Sequence, residues 1–223
     1  MVVRLRGFRL VECFPNSPTL IFKQFFMSNY KIILASNSPR RKELLSGLGI
    51  DFEVRIIKGI DESYPSDINV TDIAEYISRK KASAYLVGMA DDELIITADT
   101  IVVLDDCVLG KPKDSDEAKS MLSLLSGKTH QVITGVCVCT KNQTKSFSVT
   151  SEVTFKQLSD EEIDFYVETY KPLDKAGSYG IQEWIGYIGV TSLSGSYFNV
   201  MGFPVQRIYE VLRLFGVSMY KKA

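Results

Sequence analysis

A carboxylate in the middle of an apolar run is the first feature of this sequence with chemical content. In "ELIITADTIVVL", Asp99 would lose its solvation unless it meets a metal, a cation or several hydrogen-bond donors. A structural aspartate at a strand bend is the competing explanation. Glu62, in the acidic loop "GIDESYP", offers a second carboxylate, although loop acids are commonly just solvated. Lys80 and Lys81 fall on or beside the apolar stripe of a helical segment, where a cation needs a partner. Lys111, in "LGKPK", comes close to Asp99 if the strand turns back there, and could then supply a point charge for phosphate.

The stretch "LASNSPRRKELL" carries a second anomaly. It reads as a strand end, a polar loop and a helix start, yet Arg40, Arg41 and Lys42 load the first helical turn with cations. A helix N-terminus is electropositive, and each misplaced cation there costs about 0.3–1 kcal/mol. An anion resolves the conflict: backbone N–H groups and arginine forks both suit phosphate, and Ser36 or Ser38 could add a hydroxyl while capping the helix. A solvated basic turn with ordinary serine capping is the alternative. On the phosphate reading, Arg41→Gln should leave the empty protein equally stable or slightly more so.

The elements that must position these residues follow from periodicity. "KIILA" is a strand buried on both faces, and the next helix turns Leu44, Leu45 and Leu48 inward before Gly49. "DFEVRI" alternates as a half-buried strand with Phe52, Val54 and Ile56 inward. A helix over about 71–86 buries Ile73, Ile77 and Ala84. Asp114 and Glu117 have capping-box spacing for a helix ending near Gly127, as do Ser159 and Glu162 for one ended by Pro172. "QVITGVCVCT" and "KSFSVTSEVTF" read as an antiparallel hairpin, with Cys137 and Cys139 on one buried face and His130 a structural residue at the strand entry. The last helix begins at Pro204 with Val205, Ile208, Tyr209 and Leu212 inward. This order of elements predicts an α/β fold with a mixed sheet.

Composition narrows the function class. At 223 residues with a formal net charge of −1, the chain lacks the basic excess of a general nucleic-acid binder. Four cysteines without a CxxC pair, and a single histidine, indicate neither a zinc site nor a disulfide framework, and suggest a reducing, cytoplasmic setting. The opening "MVVRLRGFRLVECFPNSPTLIFKQFF" is broken by Glu12 and Pro15, so it is a poor signal peptide; no apolar run is long enough to span a membrane. We expect residues 1–27 to be an extension outside the fold and 28–223 a single domain.

Seven segments in order, "LASNSPRRKELL", "DE" at 61–62, "RKKA" at 79–82, "ADTIV" at 98–102, "GKP" at 110–112, "SGKTHQVITGV" and "DKAGSYGIQ", resemble the Maf family of nucleoside triphosphate pyrophosphatases over about Tyr30 to Val217. The last of these, with "GSYFNVMGFP", is similar to the branch that hydrolyses dTTP and UTP. The resemblance implies an elongated, ITPase-like mixed-sheet α/β fold with a central nucleotide cleft. It further implies a divalent cation, Mg²⁺ or Mn²⁺, and a nucleoside monophosphate and pyrophosphate as products. By position, Asp99 corresponds to the general base, and Arg40, Thr100 and Gln182 to residues tied to substrate choice. Ser36, Arg41, Glu62, Lys81 and Lys111 correspond to the lining of the phosphate and metal site, with Glu62 and Asp99 at the metal. Glu183 and Trp184 follow "GIQ" where relatives of this branch more often carry a glycine; an aromatic there could stack on the base or narrow the pocket.

The expected chemistry is attack on the α-phosphorus by a metal-bound water that Asp99 deprotonates, with pyrophosphate leaving under the charge of Arg41, Lys81 and Lys111. Modified pyrimidine nucleotides fit the same scheme, and a homodimer is implied by the resemblance only. The rival class is a non-catalytic, nucleotide-binding regulator of septum formation. The paired carboxylates favour the enzyme, since a pure triphosphate binder gains little from acids beside its ligand.

Overall fold

The computed structural model describes residues 30–218. The predicted 1–27 extension and Cys13 lie outside the described residues. In chain order the elements are β1 (Lys31–Leu34), α1 (Pro39–Ser46), β2 (Glu53–Val54), α2 (Ile73–Leu86), β3 (Glu93–Leu104), β4 (Cys107–Leu109), α3 (Ser115–Leu125), β5 (Thr129–Cys139), β6 (Thr144–Phe155), α4 (Asp160–Tyr170), α5 (Trp184–Gly189), β7 (Val190–Ser194), α6 (Tyr197–Val200) and α7 (Val205–Leu214). Short 3₁₀ turns cover Val70–Asp72 and Ala176–Ser178. The strands form one mixed sheet in the order β2-β1-β3-β5-β6-β7, with β4 also paired to β3. Pairing is parallel at β1–β2 and β1–β3 and antiparallel elsewhere.

Strand β3 is the spine. Residues two apart share a face, so Ile95, Ile101 and Val103 meet α2 through Ile73, Ala74, Ile77 and Ala82. On the opposite face the helices fall into two groups. Leu94, Ile96 and Ala98 pack with Leu45 of α1 and Ile208, Val211 and Leu212 of α7. Val102 and Leu104 pack with Leu122 of α3 and Ile163, Tyr166 and Val167 of α4. The groups part at residues 98–102, and a cleft opens there.

Local signals explain most boundaries. Ser38 caps α1 by accepting from Arg41 N–H (3.5 Å) with Pro39 at the first helical position. The Ser159–Glu162 box closes in both directions at α4. At α3 the box is displaced: Asp114 accepts from Glu117 N–H (2.8 Å), but Glu117 takes the N–H of Lys113 (2.7 Å). Gly135, opposite Asp99 in the ladder, has a packing reason. A Cβ there would lie 2.2 Å from the Ala74 backbone, so only glycine lets α2 approach the sheet this closely.

Two burial expectations are corrected. The "DFEVRI" strand shrinks to Glu53–Val54 at the sheet edge, and Val54 and Ile56 are each 42% exposed, because β2 has a neighbour on one side only. In α7 the inward stripe is Ile208, Val211 and Leu212, with Val205 and Tyr209 half-buried. Cys137 and Cys139 are buried on the α2 face as expected.

His130 is buried, its Nε2 lies 2.8 Å from Tyr179 Oη, and its ring meets Phe155 and Tyr179 edge-on. Burial pulls its pKa down from 6.5 to about 4. As the pH falls below 6.5 the unfolded chain therefore takes up this proton before the folded one does. Stability present above pH 6.5 should be lost toward pH 4, at up to about 1.4 kcal/mol per pH unit from this group. With only one histidine in the chain, NMR titration of its ring protons isolates the effect. A folded-state midpoint near 6.5 would refute it.

Candidate active site

The cleft encloses about 490 Å³, within the range of small-molecule sites. Its wall includes all nine residues singled out from sequence: Ser36, Arg40, Arg41, Glu62, Lys81, Asp99, Thr100, Lys111 and Gln182. The first and last of these are nearly 150 positions apart, and five separate stretches of chain carry the rest between them.

Lys81 is the hub. It projects from α2 so that Nζ lies 2.7 Å from Asp99 Oδ1 and 3.0 Å from Glu62 Oε1. Asp99 thus has the cation that its apolar strand demanded, with its side chain only 14% exposed. Helix α2 also fastens the strand-like loop that carries Glu62. Tyr85 Oη accepts from Ile57 N–H (3.0 Å) and donates to Arg55 O (2.9 Å). Lys80 donates to Asp61 Oδ2 (2.7 Å) and Ser63 O (2.9 Å). The two adjacent lysines therefore do different work, one holding the loop and the other joining the carboxylates.

Arg41 lines the cleft and is also tied into the fold. Its Nε donates to Gly202 O (2.9 Å), Nη1 to Ala98 O (2.7 Å) and Ser36 Oγ (3.4 Å), and Nη2 to Thr100 Oγ1 (3.1 Å). The guanidinium bridges α1, β3 and the turn before α7, and of its five N–H groups these contacts leave one on Nη2. Burial depresses its pKa, with Asp99 opposing. Backbone carbonyls, not only an absent anion, thus answer the charge at this helix start. Thr100 is committed as well, its hydroxyl lying 3.0 Å from Thr134 Oγ1. Arg40 reaches across the cleft to Asp174 Oδ2 (3.2 Å), while Lys111 stands exposed on the wall.

Sequence inspection missed Asp174, Lys175 and Tyr179, which also line the cleft. The available signal was the "DKAGSYGIQ" motif, in which the charged pair precedes the glycines. Five cations, Arg40, Arg41, Lys81, Lys111 and Lys175, face three carboxylates, Glu62, Asp99 and Asp174. That excess of positive charge suits a polyanion. Trp184 corrects another expectation. It does not line the cleft but packs on the α3–α4 core, edge-on to Phe165 at 4.8 Å, because α5 turns it away from the cleft.

The family model for Maf-like protein matches residues 31–215, which is most of the chain. The chain belongs to the Maf family. Among Maf relatives, the dTTP/UTP pyrophosphatase of Phocaeicola vulgatus is 64% identical over 187 residues, covering 84% of this chain and 97% of the relative. The dTTP/UTP pyrophosphatases of Parabacteroides distasonis (61%, covering 85% and 98%) and Bacteroides thetaiotaomicron (59%, covering 84% and 97%) follow. Among solved structures, a HAM1 protein from Coxiella burnetii matches at 15% identity and a TM-score of 0.43, covering 83% of this Maf chain and 99% of its own.

Proposed function

We propose that this chain is a nucleoside triphosphate pyrophosphatase that hydrolyses dTTP and UTP, and modified pyrimidine counterparts, to the monophosphate and pyrophosphate. The observation that carries the mechanism is the Glu62–Lys81–Asp99 cluster set in a cleft with excess positive charge. The relatives' shared activity supports the substrate class.

The residues fit a hard divalent cation held jointly with substrate. Among the described residues no group of three or more His, Cys, Asp or Glu could hold a metal. Mg²⁺ is commonly bound by one or two carboxylates, with water and phosphate oxygens completing its shell. Glu62 and Asp99 would be those carboxylates for Mg²⁺ or Mn²⁺. When bound, the cation supplies Lewis-acid neutralisation of phosphoryl oxygens.

Asp99 takes the proton of the attacking water as its oxygen bonds to the α-phosphorus, and the bond to the bridging oxygen breaks. Lys81 holds the Asp99 carboxylate in place. Arg40, Lys111 and the free N–H of Arg41 neutralise the departing pyrophosphate. Ser36 and Thr100 orient Arg41 through their hydroxyls. Gln182 Oε1 is buried with no hydrogen-bond partner, and the imide N–H of uracil or thymine is a donor that would satisfy it.

Chromatography of products from dTTP, UTP, CTP and purine triphosphates, with Mg²⁺ or Mn²⁺, tests this. Monophosphate with pyrophosphate is expected from dTTP and UTP, and loss of turnover in excess chelator. Orthophosphate with a diphosphate would overturn the reaction, and full activity in chelator the metal. Tight binding without turnover would favour the regulator instead. A cytoplasmic setting is part of the proposal, supported by the free thiols Cys107, Cys137 and Cys139. A homodimer is also proposed, on family resemblance. Among the described residues no helix is long and apolar enough to cross a membrane.

A further inference from the structure

A chain of polar contacts leads from Arg40 through Asp174, Lys175, Glu183 and Tyr166, four residues that the mechanism does not use. Arg40 donates to Asp174 Oδ2, and Lys175 Nζ donates to Asp174 Oδ1 (2.8 Å) and Glu183 Oε1 (3.1 Å). Tyr166 Oη donates to Glu183 Oε2 in a short contact and accepts from Gly180 N–H (3.0 Å). Lys175 is 7% exposed and Tyr166 fully buried. A buried ammonium needs a carboxylate, and Lys175 has two, so that Asp174 still compensates it when Glu183 is neutralised. Burial, reinforced by Glu183, holds the Tyr166 phenol protonated well above its usual range.

These contacts share one feature: they fix the segment 174–182, which forms a wall of the cleft and ends at Gln182. The place a Cβ on Gly180 would occupy is 3.0 Å from Glu183 Oε2 and 3.2 Å from Gln182 Nε2. The Glu183 carboxylate and the Gln182 amide nitrogen therefore gather around one point, which only glycine leaves open. A carboxylate there favours the amide's N–H end facing it, leaving Oε1 as the acceptor without a partner. An amide free to rotate can pair with a uracil or a cytosine edge, whereas one held in a single orientation distinguishes them.

We propose that Glu183, with Tyr166 and Lys175, is a positioning residue for base selection, holding Gln182 in the orientation that accepts an imide N–H. This rests on the pyrimidine triphosphate reading above. Glu183 lies outside the cleft lining and acts through the wall it anchors.

The test compares wild type with Glu183→Gln, Tyr166→Phe and Glu183→Asp, measuring kcat and KM for UTP and CTP and inhibition by pyrophosphate. Glu183→Gln should raise the KM for UTP about tenfold and lower the UTP-to-CTP ratio of kcat/KM by a similar factor. Its kcat should stay within about twofold and pyrophosphate inhibition should not move. Tyr166→Phe, which keeps the buried ring, should shift the ratio the same way, and Glu183→Asp should restore part of it. An unchanged ratio in both Glu183→Gln and Tyr166→Phe, whatever their melting temperatures, would overturn the proposal. If wild type does not turn over UTP, the pyrophosphatase reading fails separately. Calorimetric binding of non-hydrolysable UTP and CTP analogues to the same proteins then decides this one: discrimination lost in the variants supports it, and discrimination retained refutes it.

Discussion

Asp99→Asn is expected to lower kcat by about 10²–10⁴ while leaving KM nearly unchanged, the usual cost of losing a general base. The amide keeps the shape of the carboxylate and its place in β3, so the ladder to Gly135 is undisturbed. It cannot take a proton from water. The substitution removes one of the two carboxylates of Lys81, but Glu62 at 3.0 Å remains, and the ammonium is not stranded. The fold should therefore survive with a modest change in melting temperature. Steady-state kinetics with dTTP, alongside binding of a non-hydrolysable analogue, separates turnover from affinity. Wild-type kcat in Asp99→Asn would remove Asp99 as base and leave it a structural partner of Lys81.

How Asp99 could be found from sequence shows where such reading succeeds. The burial cost of a carboxylate in "LIITADTIVV" is local information, and the demand for a cation was met by Lys81, itself conspicuous on the apolar stripe of α2. Long periodic elements were legible for the same reason: α2, β3, each strand of the β5–β6 hairpin and the Ser159 box carry their pattern within a dozen or so residues, while the four-residue β1 shows as an unbroken apolar run. Short elements were not. The five-residue strand β7 and the one-turn helix α6 have too few residues to show a period, and they exist because the sheet and the cleft wall hold them. The exposure of Ile56 was hidden because nothing in "DFEVRI" tells that β2 has no second neighbour. Whether Trp184 stacks on the base or narrows the pocket depends on the direction of α5, which turns it away from the cleft.

The structural ties of Arg41 were not legible for a related reason: its partners Ala98 and Gly202 lie 57 and 161 positions away. From the helix alone, a cation on the first turn costs about 0.3–1 kcal/mol, so its removal should relieve the empty protein. The structure sets against that a fork joining three segments through four hydrogen bonds, each charged contact typically worth about 1.5–3 kcal/mol. Those terms are not additive, but even two of them outweigh the dipole. Arg41→Gln, whose amide can replace one contact at most, should therefore destabilise the empty protein by about 3–5 kcal/mol, because the Ala98 and Gly202 carbonyls lose their shared donor. At about 2–4 °C per kcal/mol for a chain of this size, the melting temperature should fall by roughly 10 °C. Activity should fall with it, since the same fork orients Thr100 and keeps α1 against the cleft. Arg41→Lys should recover little, as one ammonium cannot span all three segments. Melting curves of the ligand-free variants decide the matter: an unchanged or raised melting temperature in Arg41→Gln would mean that the guanidinium is there for an anion after all, and that its carbonyl contacts contribute little.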